Sequence, residues 1–175
     1  MGDSLITVVA ILIAAILMFV FPLLSVAERN DDISQLAVQS ATTEFVDNIR
    51  KTGKIKASDY DAYVQKISAT GNSFDVQMEH KVLDENPSKK LTWAESQKIG
   101  ENVYYSKYTS QITDAMTADA NQEYSLKEGD MITITVKNTN TTMSQMLRNF
   151  FYTVTGNGTY QVFAQHSGIV LISGN

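Results

Sequence analysis

The chain contains no cysteine. It therefore has no disulfide scaffold, no thiolate ligand for a metal and no cysteine nucleophile. Histidine is nearly as scarce, and neither His80 nor His166 stands in a spacing pattern with further metal ligands. The sequence also has no GxSxG elbow, no SxxK and no glycine-rich phosphate loop. These absences predict a protein that is not an enzyme, with no catalytic residue, no metal site and no cofactor.

Charged residues are missing from the run Leu5–Leu24, in which Thr7 is the only polar residue. Fourteen residues of the run are Leu, Ile, Val or Phe. At roughly −0.3 to −0.6 kcal/mol each, they contribute about −4 to −8 kcal/mol towards membrane insertion. As a helix the run spans about 30 Å, the hydrocarbon thickness of a bilayer. We therefore predict a transmembrane anchor helix over residues 1–27.

A secretory signal peptide is the main alternative for this segment. Ser25-Val26-Ala27 resembles a small-x-small cleavage site. Signal peptides, however, have a positively charged n-region and a shorter apolar core. Residues 1–4 contain no lysine or arginine. The sequence thus favours a retained anchor over a cleaved signal.

Basic residues are also scarce beside the apolar run. The first one, Arg29, lies among Glu28, Asp31 and Asp32, so no basic cluster holds the C-terminal side of the anchor in the cytoplasm. The N-terminal tail is short and easily left inside. We expect a single-pass protein of the cell membrane, with its C-terminal domain extracytoplasmic at the cell surface. The net charge of −5 gives no basic footprint for nucleic acid, which we do not expect as a partner.

Glycine and proline are absent from Leu23 to Lys51. Apolar residues recur there with helical spacing, and polar residues lie between them. We predict one helix from about Leu5 to Lys51, about 70 Å long, that ends near Gly53; its residues 28–52 form an amphipathic stalk. Pro22 removes a hydrogen bond inside this helix, which predicts a kink near the membrane surface. The stalk residues predicted to dock the head are Ile33, Leu36, Ala37, Ala41, Phe45 and Ile49.

Residues 53–175 predict an extracytoplasmic head that combines strands and short helices. Ser58 is a candidate N-cap, and Thr142 with Gln145 makes a capping box. Asp84 to Ser88 reads as a turn, and no element is assigned over 89–102. Alternation predicts strands over 74–82, 103–108, 131–137 and 160–172, and helical spacing predicts helices over 58–70, 109–118 and 142–154.

The helix predicted after Thr142 has a strong apolar face, with Ser144, Arg148 and Asn149 opposite. Arg148 is its only basic residue, so packing on the sheet is favoured over lying on a membrane. The residues of the apolar face are Met143, Met146, Leu147, Phe150 and Val154.

The order of transmembrane helix, amphipathic stalk and small sheet resembles pilins and pseudopilins. The resembling segments are Leu5–Leu24, the stalk through Ile49, and the strand–helix–strand Met131–Ile172. The nearest likeness is to the TadE-type minor pilin-like components of bacterial tight-adherence (Tad/Flp) pilus systems. The resemblance implies a pilin-like α+β fold, with the long helix packed against a small antiparallel sheet and short helices. It also implies a structural protein of an adhesion filament, whose partners are the membrane, other pilin-like subunits and a pilus assembly platform, in a homo- or hetero-oligomer.

Prepilins are cut after a glycine that follows a basic leader, and a glutamate lies five residues into the mature chain. Cutting after Gly2 would leave Asp3 first and Thr7 in that fifth place. A minor subunit or an anchored accessory therefore fits better than a major subunit. Ala10 and Ala14, with Ala15 beside them, form a small-x-x-x-small patch that lets apolar helices approach closely. The alternative is a membrane-anchored extracytoplasmic binding or sensing module that does not polymerise.

Overall fold

A computed structural model describes residues 2–83, 104–152 and 163–174. The turn predicted at 84–88, the unassigned stretch 89–102 and the predicted ends at Val103, Val154 and residues 160–162 lie outside these ranges. The elements in chain order are α1 (Gly2–Thr52), β1 (Lys54–Lys56), α2 (Ala57–Ser68), β2 (Phe74–Leu83), β3 (Tyr104–Tyr108), α3 (Thr109–Ala118), β4 (Glu123–Ser125), β5 (Met131–Asn138), α4 (Met143–Tyr152) and β6 (Phe163–Ile169).

The first helix, α1, is continuous from the apolar run into the stalk and contains Pro22. It ends at Gly53, whose amide donates to the Ile49 carbonyl at 2.8 Å while its backbone adopts a φ of +66°. Glycine adopts this left-handed conformation without steric cost. A Cβ atom at Gly53 would also lie 2.2 Å from the carbonyl oxygen of Ile172. The C-terminal tail of the chain is therefore packed directly on the end of α1.

Two short elements, β1 and α2, follow α1 in the chain and contact it. Strand β1 pairs antiparallel with β4, and α2 packs on α1. The ring of Tyr63 on α2 stacks on Phe45 of α1 at 4.5 Å, and its hydroxyl lies 2.9 Å from that of Thr42. The predicted Ser58 cap is wrong, because α2 begins at Ala57 and its N-cap residue is Lys56, which makes no side-chain cap.

The main sheet is antiparallel, with strand order β3-β2-β5-β6. Strand β5 is central, and its Ile132, Ile134 and Val136 are buried against α1 and the rest of the core. The strand predicted over 160–172 ends at Ile169 rather than Ile172. Val170 N–H bonds instead to the Asp130 carbonyl at 2.8 Å, and Leu171 N–H to the Arg50 carbonyl at 2.9 Å. The predicted α+β layout, a long apolar N-terminal helix with a small antiparallel sheet and short helices, is confirmed.

The face of α1 that meets the head is rotated relative to the predicted one. Ala41, Phe45 and Ile49 are buried in the core, but Ile33, Leu36 and Ala37 are exposed, Leu36 by 66%. For these three, the docking assignment is wrong. The buried side of the lower stalk consists of Ala27, Asp31, Ser34 and Val38. This side is buried because Asp31 makes polar contacts with residues at the start of α4, which apolar periodicity does not predict.

Candidate functional site

The apolar half of α1 projects from the fold. Most of its side chains are exposed, with Leu12 at 58% and Phe19 at 77%. Within the described ranges, α1 is the one helix long and apolar enough to cross a membrane by length and composition. A narrower stripe behaves differently: Leu17, Val20 and Leu24 are half-buried and Ala27 is buried. This stripe continues the side of α1 that carries the head.

The first head contacts lie just beyond the apolar run. Arg148 of α4 donates from Nη2 and Nε to Glu28 Oε1 at 2.6 and 3.1 Å. Asp31 is 3% exposed and accepts from the hydroxyls of Thr142, at 2.8 Å, and Ser144. The predicted capping box is present as well, with Thr142 N–H on Gln145 Oε1 at 3.0 Å and Gln145 N–H on Thr142 Oγ1 at 3.3 Å. We call the pairs Glu28–Arg148, Asp31–Thr142 and Asp31–Ser144 the junction.

The junction reverses the predicted orientation of α4. The helix packs on α1 through Ser144 and Arg148, the side expected to face solvent. Met143 and Met146 are 53% and 57% exposed, so for these two residues the predicted packing on the sheet is wrong. Leu147 of the same face is half-buried, and the Phe150 side chain and Val154 lie outside the described residues. A buried carboxylate requires hydrogen-bond donors, and α4 supplies them from its polar side. Met143 and Met146 are turned outward as a consequence.

The junction also sets the direction of α4. Ser144 contacts Asp31, and Arg148, one turn later, contacts Glu28, nearly one turn earlier on α1. The two helices therefore run antiparallel. The C-terminal end of α4 points towards the apolar half of α1.

A second polar cluster lies inside the head. His80 Nε2 is 2.9 Å from Asp130 Oδ2, and His80 Nδ1 is 2.8 Å from the Tyr124 hydroxyl. His80 and Asp130 are almost fully buried, with side-chain exposures of 3% and 2%. An Nε2–H that donates to the carboxylate, with Nδ1 accepting from Tyr124, satisfies a neutral imidazole. A triad this deeply buried is not accessible to a substrate, so we interpret it as a hydrogen-bond network of the core.

His80 lies on β2 and His166 on β6, two strands that are not adjacent. In the sheet, β5 lies between them, since His80 pairs with Ile132 and His166 with Ile134. The hydrogen-bond partner of His80 is Asp130. Its position directly before β5 is the sequence feature that could have indicated this pairing. Among the described residues, no group of three or more His, Cys, Asp or Glu side chains could hold a metal ion.

We expect the stability of the head to fall as the pH is lowered from about 8 to 6. Burial lowers the pKa of His80 below 6.5, against the opposing hydrogen bond to Asp130, and Lys107 over the Tyr124 ring acts in the same direction as burial. The unfolded chain then binds a proton that the folded chain does not, so stability rises with pH. Histidines and the α-amino group are the ordinary groups that titrate in this window.

The measurement is urea unfolding of the detergent-solubilised chain at several pH values. The variant H80Q should lose most of the slope, at a cost in stability. Stability that is constant over the window, or that increases on acidification, would contradict a neutral His80.

A groove of about 980 Å³ runs between α1 and α2. The salt bridge from Lys66 to Glu44 lies at its edge and is largely exposed. Its walls combine Leu36, Phe45 and Tyr63 with polar side chains of both charges. The groove has the size of a small-ligand site, and its mixed lining indicates no particular ligand chemistry.

Among the described residues, none of the predicted assembly residues is buried against another element. Ala10, Ala14, Ala15 and Pro22 are all exposed on the apolar half of α1. Ala10 and Ala14 lie one turn apart on one face, as a close helix contact requires. Both residues are therefore accessible to a neighbouring apolar helix.

Comparison with known proteins identifies no relative. No protein-family model, no curated protein and no solved structure matches this chain. The features that indicate a function are therefore the exposed apolar helix, the junction and the head.

Proposed function

We propose that this chain is a single-pass, membrane-anchored structural protein, a pilin-like subunit or accessory of a bacterial surface filament or secretion apparatus. The observation that carries the proposal is the continuity of α1. Its exposed apolar half runs without interruption into a half whose Phe45 and Ile49 are part of the head's core. The head faces the extracytoplasmic side in this proposal, and the chain performs no catalysis.

A shared helix makes the anchor and the head one rigid body. A flexible linker would let the head move independently of the membrane, whereas the junction and the core hold the head along the stalk from Ala27 to Ile49. A rod of this kind suits a structural subunit that keeps a fixed position in the membrane or that is extracted from the bilayer into an assembly. Lipid or neighbouring apolar helices satisfy its lower half equally well.

The assembly surface we propose is the exposed side of α1. Ala10 and Ala14 would allow close approach within the apolar half. Ile33 and Leu36, exposed on the stalk, would extend the same helix contact above the membrane. The partners in this proposal are other pilin-like subunits or their assembly platform, in a homo- or hetero-oligomer.

One observation favours a second candidate, a membrane-anchored binding or sensing module that does not polymerise. The groove between α1 and α2 lies on the stalk and has the volume of a small-molecule site. A ligand there would contact both the stalk and the head.

The test is to follow the chain in sheared surface material and in mild detergent. We expect it in the sheared fraction, resistant to detergent, and we expect A10L to remove most of it by blocking close helix approach. The matched control I11L should leave it in place. A monomer in mild detergent that is absent from every fibre would favour the binding module instead.

The first residue of the cell-surface protein, from intact mass, tests the anchor itself. Met1 indicates an uncleaved anchor and Asp3 indicates pilin-type processing. Glu28 as the first residue would contradict the anchor, because cleavage after Ala27 removes the entire apolar run.

A further inference from the structure

Strand β2 has an open edge over its first residues. On one side β5 pairs with β2 from Phe74 onwards, whereas on the other side β3 pairs with it from Glu79 to Leu83. Within the described residues, no strand lies beside residues 74–77 on the β3 side. We call this open edge the notch.

The notch exists because the chain leaves the sheet early. Tyr108 N–H donates to Gln111 Oε1 at 3.0 Å, and α3 begins at the next residue. The Thr109 hydroxyl then serves Met78 in place of a strand: it accepts the Met78 N–H at 2.8 Å and donates to the Met78 carbonyl at 3.4 Å. Beyond Thr109 the edge has no such substitute.

The notch presents free backbone groups. The N–H and C=O groups of successive strand residues point to opposite edges. Because Met78 points its groups at Thr109, Val76 and Phe74 point theirs out of the same edge. Among the described residues, none bonds to these groups of Val76 and Phe74. Such an edge is a template for an extended polypeptide.

A cavity of about 470 Å³ lies along the notch, lined by residues that include Gln77, Thr135, Tyr108 and Ser110. The outer edges of β3 and β6 are the ends of the sheet, whereas the notch is a step inside it. A segment placed there antiparallel to β2 would continue the line of β3. The notch therefore combines free backbone groups with a preformed space.

Charge at the notch selects among extended segments. Asp75 is exposed in the middle of the notch and accepts from Gln77 Nε2 at 2.7 Å through Oδ2. A second carboxylate is close by, since burial and then the Asp61 and Asp75 charges raise the pKa of Tyr60. On the paired edge, β5 places Lys137 opposite Asp75. A basic residue opposite Asp75 is favoured on the free edge as well, and an acidic one is disfavoured.

A second copy of this chain fits the notch poorly. Two notches that pair antiparallel along their whole length set Phe74 opposite Val76 and the two Asp75 carboxylates opposite each other. Like charges directly opposite are destabilising. A shift of register towards Met78 is blocked, because Thr109 already occupies its backbone groups. A shift the other way shortens the ladder.

We propose that the notch binds an extended segment of a partner protein, in which a lysine or arginine stands between two apolar residues. The segment adds to the sheet antiparallel to β2, with its basic residue opposite Asp75. Its apolar residues lie opposite Phe74 and Val76, whose half-buried side chains offer them apolar surface. The backbone groups supply binding and the alternate side chains supply specificity. The notch belongs to the head, so this inference depends neither on the membrane anchor nor on filament assembly.

The test uses the full chain, isotope-labelled, in a neutral detergent, with the capped peptide Thr-Val-Lys-Val-Thr as the probe. Amide hydrogen exchange followed by nuclear magnetic resonance is the readout. The Phe74 and Val76 amides should exchange freely without peptide and slow several-fold as the peptide saturates the chain. The Asp75 and Gln77 amides, which point to β5, are internal controls and should stay protected throughout.

Variants test the charge and the backbone separately. D75K should weaken the lysine peptide about fivefold and strengthen the same peptide with glutamate in place of lysine. The matched control E128K makes the same charge change near the opposite end of β2, and screening should keep its effect below about twofold. V76P removes a free N–H, which an unpaired edge tolerates, and should abolish binding.

Three results would overturn the proposal. The first is unchanged exchange of the Phe74 and Val76 amides at about 5 mM peptide, a concentration that reveals even weak binding. The second is protection of these amides without peptide, which would show that the edge is already paired, and by a second copy if protection rises with protein concentration. The third is equal affinity of the parent chain for the lysine and glutamate peptides.

Discussion

Replacing Ile49 with alanine is expected to lower the free energy of unfolding by about 2–5 kcal/mol. Ile49 is 1% exposed and lies where α1 enters the core of the head. Truncation removes buried methyl groups and leaves a cavity, because the surrounding core relaxes only partly. Urea unfolding followed by the near-ultraviolet circular dichroism of the tyrosines measures the change, since Tyr63 and Tyr124 are buried.

The matched control is L36A, on the same helix and in the same set predicted from the sequence to dock the head. Leu36 is 66% exposed, so L36A should change stability by less than about 0.5 kcal/mol. Equal losses for I49A and L36A would contradict the rotated docking face. A small loss for I49A would contradict the rigid union of stalk and head on which the proposed function depends.

The variant D130A is expected to cost about 3–5 kcal/mol, because it removes a buried carboxylate that accepts three hydrogen bonds. The carboxylate of Asp130 is 2.9 Å from His80 Nε2 and accepts from the amides of Leu83 and Lys127, each at 2.9 Å. Alanine would take this partner away from the buried His80 Nε2 and from two partly buried amides, and each unsatisfied donor is costly. The loss should appear in the same urea measurement.

Two controls separate this effect from a general loss of acidic charge. Asp114 is exposed on α3, and D114A should leave stability within about 0.5 kcal/mol of the parent. D130N keeps an acceptor oxygen and should fall between the parent and D130A. If D130A is as stable as D114A, the network around His80 is not a source of stability.

The loss of Asp130 has a structural consequence beyond its own contacts. It directly precedes β5, and its side chain joins the end of β2 to the turn before β5. Its backbone carbonyl also accepts from Val170, which follows β6. The substitution therefore unties the end of β2 from the turn before β5 and loosens the segment that presents the carbonyl to Val170.

Local pattern determined much of this protein without reference to its tertiary structure. The lack of glycine and proline from Leu23 to Lys51 predicted a continuous helix, and α1 is continuous to Thr52. Alternation identified β2 and β5, and helical spacing identified α3 with its observed bounds. These features depend on residues within a few positions of one another, where backbone geometry and apolar spacing act directly.

Only the tertiary structure decided which side of each helix is inside. Apolar spacing predicted that Ile33, Leu36 and the Met143–Met146 side would be buried, yet all are exposed. The pairing of Asp31 with Thr142 joins residues 111 positions apart, and that of His80 with Asp130 joins residues 50 apart. A buried carboxylate must find donors wherever the chain brings them. That demand outweighs the apolar preference of a helix face, and no local pattern records where the donors will be.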